Sequence, residues 1–264
     1  MTIARAALNW LATGQSARHQ MLVMVGIVVF QVTPAYSQDF VVINSRAGSY
    51  PAGQTFNVGE RIELSAGAAL TLIASSGTVV LLEGPYSQSL SLPSQDNAGS
   101  QGALAPLAAL VARAAKKGAS LGAAREADEE GRPSNPGARA KLWDIDALRP
   151  GNQCIKGEAV KLVRPDGDGA LRVTIWPLNG SARHIEWPSG KTTLPLEKTS
   201  YLASGTQLRI AGGKSSGAII LWRLPDGFDA DAKGRLLLWL SARGCERQAL
   251  QLAADIAGPK VAQK

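Results

Sequence analysis

Ala69-Leu70-Thr71-Leu72-Ile73-Ala74-Ser75-Ser76-Gly77-Thr78-Val79-Val80-Leu81-Leu82-Glu83-Gly84-Pro85 reads as two strands around one turn. Leu70 and Leu72 alternate with their neighbours, the period of a half-buried strand. Ala74-Ser75-Ser76-Gly77 carries turn residues. Thr78 to Leu82 is a β-branched and aliphatic run suited to a buried strand, and Gly84-Pro85 ends it. Upstream, Phe40-Val41-Val42-Ile43 reads as a strand, and Ile62 and Leu64 alternate in another. Strands this short at this spacing point to a small sandwich or roll.

The pattern recurs. Ser204-Gly205-Thr206-Gln207-Leu208-Arg209-Ile210 runs on to Ser216-Gly217 and Pro225, as Ala66-Gly67-Ala68-Ala69-Leu70-Thr71-Leu72 runs on to Ser76-Gly77 and Pro85. Two readings fit: hairpins that resemble one another, or a duplicated β unit. Ala159 to Val163 and Leu171 to Trp176 flank Pro165-Asp166-Gly167-Asp168-Gly169, which predicts a further hairpin. Between the β regions, Leu104, Leu107, Val111 and Ala114 share one helical face, with Pro106 in the first turn. The mixed charges, Gly and Pro of 125–139 then read as a connector.

At the C-terminus Leu238, Ala242, Cys245, Ala249, Leu252 and Ile256 line one helical face, and Arg243, Glu246, Arg247, Gln248 and Gln251 the wetter one. One helix over 235–256 is expected, with Asp229 or Asp231 near its start. Gly244 weakens it by about 1 kcal/mol relative to Ala. The fold class that follows is mainly β with minor α. Two small antiparallel β-rich parts, sandwich- or roll-like, are joined by a helical linker and closed by a C-terminal amphipathic helix. The expected divisions are 38–93, 94–152 and 153–258, with a tail at 259–264.

Residues 1–37 read as an export signal. Only Arg5 and Arg18 are ionic there, and the apolar run Met21 to Phe30 is too short to span a membrane. Ala35 and Ser37 occupy small-residue cleavage positions, so Gln38 is the expected first residue after processing. Membrane contact is then expected only during export, and the destination is periplasmic or secreted.

The 264 residues hold 28 Lys and Arg against 21 Asp and Glu, a formal charge of +7, with 45% hydrophobic residues. That composition excludes disordered and collagen-like chains. Lys and Arg are spread without a dense run, so no nucleic-acid partner is expected. All three Met and one of the two His lie in the leader, leaving His184 alone. A zinc site needs three or four ligands, so neither a metal nor another cofactor is expected. Cys154 and Cys245 form an even pair in an exported chain and predict one structural disulfide.

His184 and Glu186 alternate onto one strand face, a possible base and carboxylate for a hydrolase. No G-x-S-x-G elbow supplies a nucleophile, so no catalytic residue is assigned. Asp166 and Asp168 lack the remaining positions of a calcium loop and fit a turn better. Asp144 and Asp146 fit a helix start. Trp176, Trp187 and Trp222 are the candidate ligand-binding residues, since exposed indoles stack on sugars or anchor proteins.

The stretch Gly53-Gln54-Thr55-Phe56-Asn57-Val58-Gly59, Ile62-Glu63-Leu64, Ala66 to Leu72, Gly77 and Leu82-Glu83-Gly84-Pro85 resembles the FecR-like periplasmic domain, over about residues 48–92. The resemblance implies a β-rich periplasmic domain that relays signals by contacting protein partners, and it carries over no catalytic residue. The residues before Met21 are too few for the helical anti-sigma domain of that family's regulators. The expected function is therefore a non-enzymatic envelope module for protein interaction or scaffolding. A glycan- or peptidoglycan-binding module using the Trp side chains is the alternative, and a periplasmic hydrolase a third.

Overall fold

In a computed structural model of the chain, the described residues are 38–92, 104–117, 140–165, 167–196, 202–211 and 217–258. The leader with Ser37, the 125–139 connector, Asp166 and the tail at 259–264 lie outside them. Gln38 is exposed at the start of the first described segment.

Side-chain alternation sets the N-terminal layers, with one register shift between Val42 and Asn44 where the first strand meets its long partner. Strands β1 (Phe40–Ser45), β2 (Thr55–Phe56), β4 (Ala69–Ala74) and β5 (Val79–Glu83) form a sheet in the order β2-β1-β4-β5. Phe40, Val42, Leu70 and Leu72 face the ribbon of β3 (Arg61–Leu64) and β6 (Tyr86–Ser89), burying its Ile62 and Leu64. Val41, Ile43 and Ile73 face the opposite way, into a helical layer. β1 and β4 are therefore apolar on both sides, which is why they read as continuous runs. β5 departs from its expected burial. It is the last strand of its sheet, and Val79 and Leu81 are exposed.

The helical layer is α1 (Leu104–Lys116), α2 (Lys233–Ala242) and α3 (Glu246–Ala257). Leu104, Leu107 and Val111 of α1 pack with Leu237 and Leu240 of α2 and Leu252 of α3 in one cluster that also takes in Val41 and Cys154. The single helix expected over 235–256 is two helices. Gly244 takes φ +69°, a left-handed conformation that ends α2 in a turn. Cys245, Ala249 and Leu252 are buried as expected, but Gln248, expected on the wet side, is buried with them, and Ala242, expected on the apolar face, is exposed. Close approach also dictates Gly234, where a Cβ would collide with the Gly77 carbonyl oxygen.

The C-terminal β region holds β7 (Ile145–Asp146), β8 (Gly151–Ile155), β9 (Val160–Val163), β10 (Leu171–Trp176), β11 (Arg183–Trp187), β12 (Thr193–Leu196), β13 (Gln207–Ala211) and β14 (Ile219–Arg223). A five-stranded sheet has the order β11-β10-β13-β14-β8, and a three-stranded one the order β12-β9-β7. Val173, Ile175, Leu208 and Leu221 of the larger sheet meet Val160 and Leu162 of the smaller. The pairings are antiparallel except β14 with β8 and β7 with β9, which are parallel. The molecule is thus mainly β with minor α, as the alternation predicts.

Both copies of the repeated sequence pattern are hairpins, β4–β5 and β13–β14, the second pairing at only two positions. The hairpin expected across Pro165–Gly169 does not form. β9 pairs with β12 and β7, while β10 pairs with β11 and β13. Arg164 lies between the two strands and binds the turn that follows it. Its buried guanidinium donates to the main-chain oxygens of Lys191 at 2.8 Å, Pro188 at 2.9 Å and Gly169 at 3.1 Å, and lies 4.8 Å from the centre of the Trp187 ring. These contacts join the turn at 167–169 to the one at 188–191. The same guanidinium reaches the Asp168 carbonyl at 3.4 Å.

Cys154 and Cys245 form a disulfide, with Cα atoms 5.9 Å apart, that ties β8 to the turn between α2 and α3. Gln248 completes the junction. Its side-chain oxygen accepts from the Cys154 N–H at 2.7 Å, and its amide nitrogen donates to the Cys154 carbonyl at 2.6 Å. A side-chain amide thus replaces a neighbouring strand at this point of the β8 edge. Arg247 holds the chain entering β7 to α3, donating to the oxygens of Ala140 at 3.3 Å and Asp144 at 2.8 Å. Burial lowers the pKa of its guanidinium from the usual arginine value, and Asp146 and Asp144 oppose that shift.

Candidate functional site

The three candidate tryptophans all belong to the five-stranded sheet, and alternation sends them to different places. In β10, Leu171, Val173 and Ile175 point into the core between the two C-terminal sheets, so Arg172, Thr174 and Trp176 point outward. Trp176 is 40% exposed. In β11 the order is reversed: Ile185 and Trp187 face the core, and His184 and Glu186 face out. Trp187 is fully buried beneath Arg164, which corrects its expected role as a surface contact. Trp222 of β14 lies on the outward side but under the helices. It is half-buried in the helical core, with the Arg243 guanidinium 4.9 Å from its ring centre. Trp176 alone of the three presents its ring to solvent.

What surrounds Trp176 follows from strand register. Trp176 pairs with Gln207, Thr174 with Arg209, and on the other side Thr174 pairs with His184 and Arg172 with Glu186. Arg209, one step diagonal from Trp176, lays its guanidinium 5.6 Å from the ring centre, a cation–π contact. Arg172 donates to Glu186 at 2.7 Å, and the Thr174 hydroxyl meets His184 Nδ1 at 3.0 Å. Beyond the strand end, Leu178 is 65% exposed. It lies against Gly205 in the turn leading to β13, where an added Cβ would come within 3.3 Å of its side chain.

The result is an open sheet face with an aromatic and an aliphatic group at one end and ion-paired polar groups at the other. Among the described residues, α3 packs on this sheet at β8, Trp222 of β14 joins the helical cluster, and Asn152 donates to the carbonyl of Arg243, just after α2, at 2.8 Å. Arg209 and Leu178 were not singled out from the sequence. Alternation of Gln207, Arg209 and Ala211 with Leu208 and Ile210 marks Arg209 as outward-facing, but only the β10–β13 register puts it beside Trp176.

The hydrolase candidate His184 occupies this same open face. Its imidazole meets a threonine hydroxyl, and Glu186 is engaged by Arg172 instead. Asp144 pairs with Lys161 at 3.3 Å and accepts from the Lys141 N–H at 2.9 Å; Asp146 pairs with Arg149 at 3.3 Å. These acids close turns around β7 rather than starting a helix. Two clefts, of about 420 and 500 Å³, flank Glu63, Leu64 and Ser65 on the N-terminal ribbon, the first between β3 and β6 and the second beside Arg46 and Ser49. Among the described residues no group of three or more His, Cys, Asp or Glu is placed to hold a metal ion. No helix among them is long and apolar enough to cross a membrane. The chain matches no protein-family model and no curated protein.

Proposed function

We propose that this protein is a non-enzymatic interaction module of the bacterial envelope, exported through its leader, that binds a protein partner on the uncovered face of the five-stranded sheet. The observation that carries the reading is the solvent-facing Trp176 beside Arg209, with Leu178 at the same sheet end. Tryptophan and arginine are the side chains that most often anchor protein interfaces, and Arg172 and Glu186 supply a polar rim. The disulfide is compatible with an oxidising compartment. The resemblance of residues 48–92 to FecR-like domains agrees with contact between proteins.

A photo-crosslinking residue placed at Leu178 in intact cells tests this. A discrete protein adduct that disappears when Trp176→Ala is added is the expected result. An adduct indifferent to Trp176→Ala, or none, contradicts it. Binding to isolated cell-wall polymer that Trp176→Ala abolishes would replace the protein partner with a glycan.

A further inference from the structure

The sheet edge at β5 is the one described edge of its length left unguarded. β2 and β7 are two residues long, β12 contains Pro195, and β8 is capped by the Gln248 amide. β11 presents His184 and Glu186, and the β3–β6 ribbon is largely polar. Charge, proline, brevity and covering groups are how sheets prevent edge pairing. β5 reads Val79-Val80-Leu81-Leu82-Glu83. From Val80 to Leu82 it carries none of these; α2 lies against its start, where a Cβ on Gly234 would come 3.4 Å from the Val79 side chain.

Its hydrogen bonding is half used. Ala74 N–H donates to the Thr78 carbonyl at 2.9 Å and Gly84 N–H to the Ala68 carbonyl at 2.9 Å, and Leu72 pairs with Val80 and Leu70 with Leu82. Even-numbered residues 78 to 84 therefore face β4. The N–H and C=O groups of Val79, Leu81 and Glu83 point away from the sheet. The side chains of Val79 and Leu81 are 41% and 60% exposed.

The edge has an exposed carboxylate at one end and the Arg235–Asp229 ion pair at the other. Glu83 is exposed at one end. At the other, Arg235 packs on Gly77, its main-chain nitrogen 2.6 Å from where a Cβ would stand, and its exposed guanidinium meets Asp229 at 3.2 Å.

From this self-complementary edge we infer that two copies of the chain associate by antiparallel pairing of β5 with β5 about a two-fold axis at Leu81. Residue 81 then exchanges both main-chain hydrogen bonds with its own copy, and Val79 does so with Glu83 of the second copy. The two Leu81 side chains cover each other on one face. Each Glu83 comes to the end that bears the other copy's Arg235. Parallel pairing would set like charges together and break the symmetry of closed dimers. Two four-stranded sheets become one of eight strands.

The test is sedimentation of the chain, purified as it accumulates in cells with its disulfide intact, over about 1 to 100 µM, where small interfaces associate. A concentration-dependent dimer is expected. Leu81→Lys should raise its dissociation constant about tenfold or more, with disulfide and circular dichroism unchanged because residue 81 is exposed. Glu83→Arg should weaken it as well, and adding Arg235→Glu should restore it. A monomer at every concentration overturns the proposal, including one whose edge takes up a strand from a different protein. So does a dimer indifferent to Leu81→Lys, or a charge exchange that fails to restore association.

Discussion

Trp176 and Trp187 are both followed by proline, yet they have opposite fates because of one position of strand parity. Trp176 follows Ile175, whose side chain is in the core; Trp187 is two residues from Ile185, which also faces the core. Trp187→Ala empties a fully buried site and should cost about 3 to 5 kcal/mol in chemical denaturation. Trp176→Ala should cost under about 1 kcal/mol of stability, while weakening partner binding about 30-fold, the scale of an interface anchor. Equal stability losses would place both rings in the core. The parity was legible, since Ile185 and Trp187 share a face on simple alternation. The role of Arg164 was not. No local pattern says that one arginine will donate both to the carbonyls of the turn just after it and to those of Pro188 and Lys191, nor that β9 and β10 on either side of Pro165-Asp166-Gly167-Asp168-Gly169 will pair with other strands.

Elements were easier to find in the sequence than to place. The β4–β5 and β13–β14 hairpins follow from alternation and turn residues, both of which act over a few positions. The burial of β5 did not follow, because a β-branched run reads alike at the centre and the edge of a sheet, and only strand order separates the two. The last helix shows the same limit. Periodicity passes through Gly244 without a visible fault, and helix propensity assigns glycine a modest cost there. The chain instead uses its left-handed conformation to turn, which brings Cys245 to Cys154 and Gln248 to the β8 edge. Gly244→Ala would force a side chain into that conformation and set its Cβ 2.8 Å from the Asn152 amide nitrogen. A loss of about 1 to 2 kcal/mol from the backbone alone is expected in thermal or denaturant unfolding, with more from the contact. A gain in stability would mean that 233–257 prefers one continuous helix.

For the whole molecule, the helical layer and the disulfide bind together the regions that the sequence suggests as separate parts. Val41 of β1 and Cys154 of β8 enter the same apolar cluster as the three helices, and the bridge spans 91 residues of sequence. Replacing both cysteines with alanine removes that constraint from the unfolded chain. The chain-entropy model gives about 4 to 5 kcal/mol for such a loop, which should appear as a large fall in unfolding midpoint. Unchanged stability would show that the bridge adds nothing beyond the packing around it. The proposed binding face lies outside this bonded frame, around the solvent-exposed Trp176 of the five-stranded sheet. Oxidative footprinting of the tryptophans, in cells and on the purified protein, tests that claim most directly. Trp187 should resist oxidation in both settings, whereas Trp176 should be oxidised readily in the purified protein and protected in cells where its partner is present. Equal oxidation of Trp176 in the two settings would contradict an occupied face.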